Sequence, residues 1–170
     1  MDRDTLRALQ APLKSAYKDD PTQALITLKA TGTLGENVSC KVDTGRAIAE
    51  AGLHPATGGD GSLLCSGDML LEALVACAGV TLRAVATSLE LDVAGTVHAE
   101  GDLDFRGTLG VDKQAPVGFR DIRLTFDLTT DADADQVATL VKLTERYCVV
   151  LQTIRQSPST SVRLQISGTP

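Results

Sequence analysis

The stretch EALVACAGVTLRAVA, residues 72–86, carries only two charges, Glu72 and Arg83, and contains no proline. Glycine occurs once, so nothing in it breaks a helix from about Met69 to Ala86. A helix apolar nearly all round belongs inside a protein rather than on its surface. At its centre stands a thiol, Cys77. A second segment, LTERYCVVLQTI at 143–154, repeats the arrangement around Cys148, 71 residues further on. Two cysteines on two apolar helices are either core residues or a redox pair, and that choice frames the chemistry.

Working outward, residues 4–18 place Leu6, Leu9, Leu13 and Ala16 or Tyr17 at helical spacing, and the Asp-Asp-Pro at 19–21 ends that helix. ALITLKATG (24–32) and NVSCKVDTG (37–45) are β-branched runs flanking a glycine-bearing turn, which predicts a hairpin. A short strand or turn follows around Arg46–Ala51. LHPATGGDGSLLCSG (53–67) is a loop, and Ser66 or Asp68 is placed to cap the apolar helix. LDVAGTVHAEGDLDFRGTL (91–109) alternates as one strand and the start of another. In GFRDIRLTFDLTT (118–130), Ile122, Leu124, Phe126 and Leu128 share one face of a strand. The acidic TDADADQ opens a helix with the stripe Val137, Leu140 or Val141, Thr144, Tyr147 or Cys148, Leu151 and Ile154. TSVRLQISG closes the chain as a strand. Runs of strands separated by single helices predict an α+β fold with antiparallel sheet covering the helices.

Composition narrows the function classes. The 170 residues have a net charge of −6, no Trp, three Phe and two Tyr. No Lys/Arg cluster faces a phosphate backbone and few aromatics can stack on bases, so nucleic acid is not the expected partner. The longest uncharged stretch of the apolar helix, Ala73–Leu82, falls well short of the roughly 20 residues that span a bilayer. The N-terminus mixes acids and bases without an apolar core, unlike a secretory signal. Four cysteines (Cys40, Cys65, Cys77, Cys148) do not make a secreted disulfide scaffold. A cytoplasmic protein with reduced thiols, and no membrane partner, is expected.

Other chemistries are poorly supported. Cys40 is mid-strand and reads as packing. Cys65 reads as a bystander, with a role as resolving thiol as the alternative. His54 and His98 form no zinc-ligand spacing with any cysteine. GGDGSLLCSGD (58–68) lacks the Gly-Lys-Ser/Thr ending of a phosphate loop. Arg83 is six residues from Cys77, about 120° round a helix from it. It is therefore ill placed to serve that thiol, and Arg46, oriented by Asp68 or Glu72, is the other cation considered.

VACAGVT around Cys77, GFRDIRLTF, ERYCVVLQTI around Cys148, a final strand and LGEN at 34–37 together resemble the OsmC/Ohr family, the osmotically induced and organic hydroperoxide resistance proteins, in its OsmC-like branch. The resemblance covers roughly Ala24–Gly168, which sets residues 1–22 apart as an added amphipathic helix and 23–170 as the OsmC-like domain. It implies antiparallel sheets around two central helices in an intertwined homodimer, without metal or organic cofactor. It also implies that Cys77 attacks an organic hydroperoxide, that Cys148 resolves the product, and that a dithiol reductant restores both. Three positions depart from the family pattern. Gly67 stands where a Glu precedes the reactive cysteine by ten residues, Val149 stands where Pro follows the second cysteine, and TLGEN carries no Arg. These departures keep a second reading open, a non-catalytic protein of the same fold that binds a small apolar ligand.

Overall fold

The computed structural model describes residues 2–19, 31–34, 39–43, 48–110 and 112–166. The amphipathic segment forms α1 (Arg3–Asp19). Then come β1 (Thr31–Leu34), β2 (Ser39–Asp43) and β3 (Ile48–Gly52), antiparallel neighbours with Leu34 opposite Cys40 and Cys40 opposite Ala51. The expected hairpin is present with its first strand at 31–34. The remainder of that run, 24–30, lies outside the described residues, as does Arg46. A two-residue strand, β4 (Leu64–Cys65), pairs parallel with β3 and completes a sheet of order β1-β2-β3-β4.

β4 runs straight into α2 (Ser66–Leu89), longer at both ends than the apolar run implies. Its N-cap is Cys65, without a side-chain capping bond, so neither Ser66 nor Asp68 caps it. At its C-terminus Glu90 turns into the left-handed region at φ 58°, and its ion pair to Arg3 (2.6 Å) ties α1 to this corner. The helix buries one face, through its own Leu74, Ala78, Leu82, Val85 and Ala86, while Val80 is 73% exposed. Apolarity all round therefore did not translate into burial all round within a single chain. Length and composition alone would let α2 cross a membrane. Its packing against β5, α4 and α5 makes it a core helix instead.

β5 (Val93–Asp102) and β6 (Asp121–Thr130) form a second, antiparallel sheet, with Val97 opposite Phe126, Ala99 opposite Leu124 and Gly101 opposite Ile122. These residues face α2, while the outer face carries Arg123 bonded to Asp102 (2.6 Å) and Asp121 (2.7 Å). Gly95 has φ +140°, and a Cβ there would lie 2.0 Å from the Asp127 carbonyl oxygen, so only glycine fits the close approach of the strands. After β5 the chain forms a short helix, α3 (Phe105–Thr108), and not the start of another strand. Asp104 caps it through the Arg106 N–H (3.1 Å), a local bond that outcompetes extension.

α4 (Ala134–Tyr147) opens on a capping box in which Asp133 accepts from Gln136 N–H (2.8 Å) and Gln136 Oε1 accepts from Asp133 N–H (3.0 Å). The helix expected to continue to Ile154 instead breaks at Cys148, whose ψ of 105° ends α4 and begins α5 (Val149–Arg155). Leu140, Thr144, Cys148 and Leu151 are buried, and Tyr147 is exposed. Beyond α5, residues 157–166 form no strand. Val162, Leu164 and Ile166 alternate as the sequence indicates but stand exposed, and among the described residues no strand pairs with them.

Candidate functional site

α2 and α5 carry the two thiols into one cluster. Leu74, Ala78, Cys148 and Leu151 form its buried floor, and Cys77, Val97, Ala99, Ile122, Leu124, Phe126, Val150 and Ile154 pack around it. The α2 face that buries Leu74 and Ala78 brings Cys77 to its edge. Cys77 stays partly accessible, while Cys148 is 0% exposed. The two side chains belong to the same packed cluster. The pair is reduced in this structure, with Cys65 the other free thiol among the described residues.

The break at Cys148 shapes what surrounds the sulfurs. The first intrahelical bond of α5 runs from Gln152 N–H to Cys148 carbonyl oxygen (2.9 Å). The N–H groups of Val149, Val150 and Leu151 thus have no acceptor in their own helix, and Cys148 provides no side-chain cap. They open α5 at the cluster that holds both sulfurs, with Val150 and Leu151 packed in it.

Burial pushes the Cys77 thiol up, but the N–H of Val150, the Cys148 thiol and the N–H of Val149 outweigh it and hold Cys77 below an ordinary thiol. The Thr81 hydroxyl also lies close, but its proton is committed to the Cys77 carbonyl oxygen at 2.7 Å, so we assign the effect to the peptide donors. Burial also pushes Cys148 up, and there it prevails over the N–H of Leu151 and Val150, aided by the neighbouring Cys77. The more accessible thiol is thus shifted toward its thiolate and the buried one toward its protonated form. That division suits a nucleophile and a proton-donating neighbour.

The other sequence candidates are elsewhere. Cys65 begins the helix that carries Cys77, twelve residues earlier and so about 18 Å along the axis, too far to bridge within the chain. Arg83 donates to the Val93 carbonyl oxygen (2.6 Å) and latches α2 to β5. Asp68 and Glu72 border an open groove with Leu71, Val75, Ala76 and Ala99. His54 caps its own turn through Ala56 N–H (3.0 Å) and stacks on Phe105, while His98 lies on β5 beside Thr96 (2.9 Å). The sequence reading missed the peptide donors at 149–150. A proline at the first position of a helix would have marked the boundary, and valine there conceals it.

Comparison with known proteins agrees with this architecture. The family model for OsmC-like protein matches residues 59–163. Among solved structures, the OsmC-like protein from Mycoplasma pneumoniae superposes with a TM-score of 0.64 at 16% identity, covering 78% of this chain and 89% of that one. An organic hydroperoxide resistance protein OsmC from Legionella pneumophila does so at 0.56 and 19% identity, covering 78% and 91%. The organic hydroperoxide resistance protein OhrB of Bacillus subtilis does so at 0.51 and 21%, covering 78% and 93%. Among curated proteins, none matches in sequence.

Proposed function

Because this chain belongs to the OsmC-like protein family, we propose that it is a thiol-dependent peroxidase that reduces organic hydroperoxides through Cys77 and Cys148, in oxidative stress defence. The observation that carries this reading is the meeting of two reduced thiols in one apolar cluster, Cys77 partly accessible and Cys148 buried. Structural neighbours named for organic hydroperoxide resistance support it at the level of the fold.

The chemistry balances without a cofactor. The Cys77 thiolate attacks one peroxide oxygen, the O–O bond breaks, and the departing alkoxide takes a proton to leave as an alcohol. The sulfur, oxidised by two electrons, becomes a sulfenic acid. The Cys148 thiol condenses with it, forming the disulfide and releasing water. An external dithiol then returns both cysteines to the reduced state by exchange, and is itself oxidised to a disulfide. Packing of both cysteines in one cluster brings them together for an S–S bond of about 2 Å. Cys77 is the proposed nucleophile and Cys148 the resolving thiol.

The proposal extends to assembly and place. A homodimer, in the cytoplasm, accounts for the uncovered apolar face of α2 at Val80 and for the unpaired alternation at 162–166. Residues 1–22 are taken as an added helix and 23–170 as the functional domain, although the family match begins at residue 59.

Thiol counting under anaerobic conditions tests the reading. One equivalent of cumene hydroperoxide is expected to consume two thiols rapidly in the wild type. Cys77→Ser is expected to lose none rapidly, and Cys148→Ser to stop at a sulfenic acid that a dimedone probe traps. A wild-type rate no faster than that of a free thiol would overturn the proposal.

A further inference from the structure

Resting on the homodimer reading, we infer that two copies of this chain pair through α2 laid antiparallel on α2, in a register set by Glu72 of each copy against Arg83 of the other. The segment 72–86 carries these two charges and no others. They are eleven residues apart, three turns of helix, so both stand on one side of α2 about 16 Å from each other. Met69, Glu72, Ala76, Gly79 and Arg83 recur along that side at alternating spacings of three and four, the spacing of a seam between two helices. Both charged residues are exposed, and among the described residues neither forms an ion pair.

The surface beside this seam is shaped for a second helix. One open groove runs past Glu72, Val75, Ala76 and Ala99, and another past Gly79, Arg83, Val93 and Val97. Since β5 contributes Ala99 to the first and Val97 and Val93 to the second, the two succeed each other along the junction of α2 and β5 as one trough. Ala76 and Gly79 lie midway between its charged ends and carry no bulk to hold a second helix away, and Val80 beside them is 73% exposed. Arg83 is fixed at one end, since its Nη1 donates to the Val93 carbonyl oxygen at 2.6 Å, while its remaining nitrogens make no other hydrogen bond among the described residues.

The charges decide the orientation. Parallel helices would set Glu72 against Glu72 and Arg83 against Arg83, whereas antiparallel helices bring acid to base at both ends and also oppose their dipoles. A twofold axis makes the same contact twice, so one acid and one base make the surface complementary to itself. In that register Ala76 of one copy meets Gly79 of the other, where the backbones approach most closely.

Sedimentation equilibrium of the full-length protein at low ionic strength tests the pairing. The wild type is expected to be a dimer. Glu72→Arg and Arg83→Glu should each weaken it by at least about a hundredfold, because each reversal creates its repulsion twice. Added salt should strengthen these variant dimers and weaken the wild type. An equimolar mixture of the two single variants should recover a dimer, since each then offers the charge the other lacks. If Arg83→Glu does not fold, Glu72→Gln and Glu72→Arg decide, with dimer strength falling in the order wild type, Gln, Arg. Single variants that associate as tightly as the wild type, or a mixture that stays monomeric, would overturn the inference and leave the homodimer standing. A monomeric wild type would overturn both. No peroxide enters the assay, so the peroxidase reading is tested separately.

Discussion

Replacing Cys148 by alanine removes one of the donors that favour the Cys77 thiolate and leaves the peptide donors in place. The substitution deletes a single sulfur at a fully buried position, so Leu74, Ala78 and Leu151 should keep their arrangement around a small void. A hydrogen bond to a charged acceptor contributes about 1.5–3 kcal/mol, and a thiol donor belongs at the weak end of that range. Since 1.36 kcal/mol corresponds to one pH unit, the Cys77 midpoint should rise by about 1 unit. The direction follows from the order of ionisation. Burial pushes Cys148 toward its protonated form, in which it acts on Cys77 as a donor rather than as a competing anion. The assay is thiolate absorbance in the ultraviolet during a pH titration, with Cys77→Ser as the blank. A midpoint that falls, or stays where it is, would refute the donor role of Cys148 and would point to repulsion between the two sulfurs instead.

Three further outcomes test the framework that holds the site. Leu140→Ala empties a fully buried position among Leu82, Val85 and Val93 and should cost about 3 kcal/mol in urea unfolding. Asp133→Ala breaks the capping box of α4 and should cost about 1 kcal/mol by the same measurement. Gly95→Ala drives a Cβ to 2.0 Å from the Asp127 carbonyl oxygen at a φ that only glycine adopts readily. It should cost at least about 2 kcal/mol, and a change near zero would show that the strands separate there without penalty.

How far the sequence revealed the molecule depended on whether one element or two decided a feature. The strand at 121–130 was legible because alternation is a local property, and its burial follows Ile122, Leu124, Phe126 and Leu128 as read. The start of α4 was legible in the acidic TDADADQ for the same reason, though its capping box was not read there. The break at Cys148 was not, since neither glycine nor proline marks it and helical periodicity continues through it. Position 105–108 misled because strand-like alternation was overridden by one aspartate cap. At the site, both cysteines were found from their apolar settings and from the resemblance. An activator for Cys77, however, was expected among charged side chains such as Arg46 and Arg83. The groups that lower the Cys77 thiol belong to the backbone, which leaves no signature in residue type.

The kink between α4 and α5 also bears on how readily a Cys77–Cys148 disulfide would accept electrons. N–H groups that favour a thiolate lose their best acceptor when that sulfur is tied into a disulfide, so they stabilise the reduced pair relative to the oxidised one. Stabilising the reduced form raises the reduction potential, about 30 mV for each 1.4 kcal/mol in a two-electron couple. The same backbone turn that sharpens the thiol for attack would then make its oxidised product easy to discharge, so that regeneration by a dithiol does not become the slow half of the cycle.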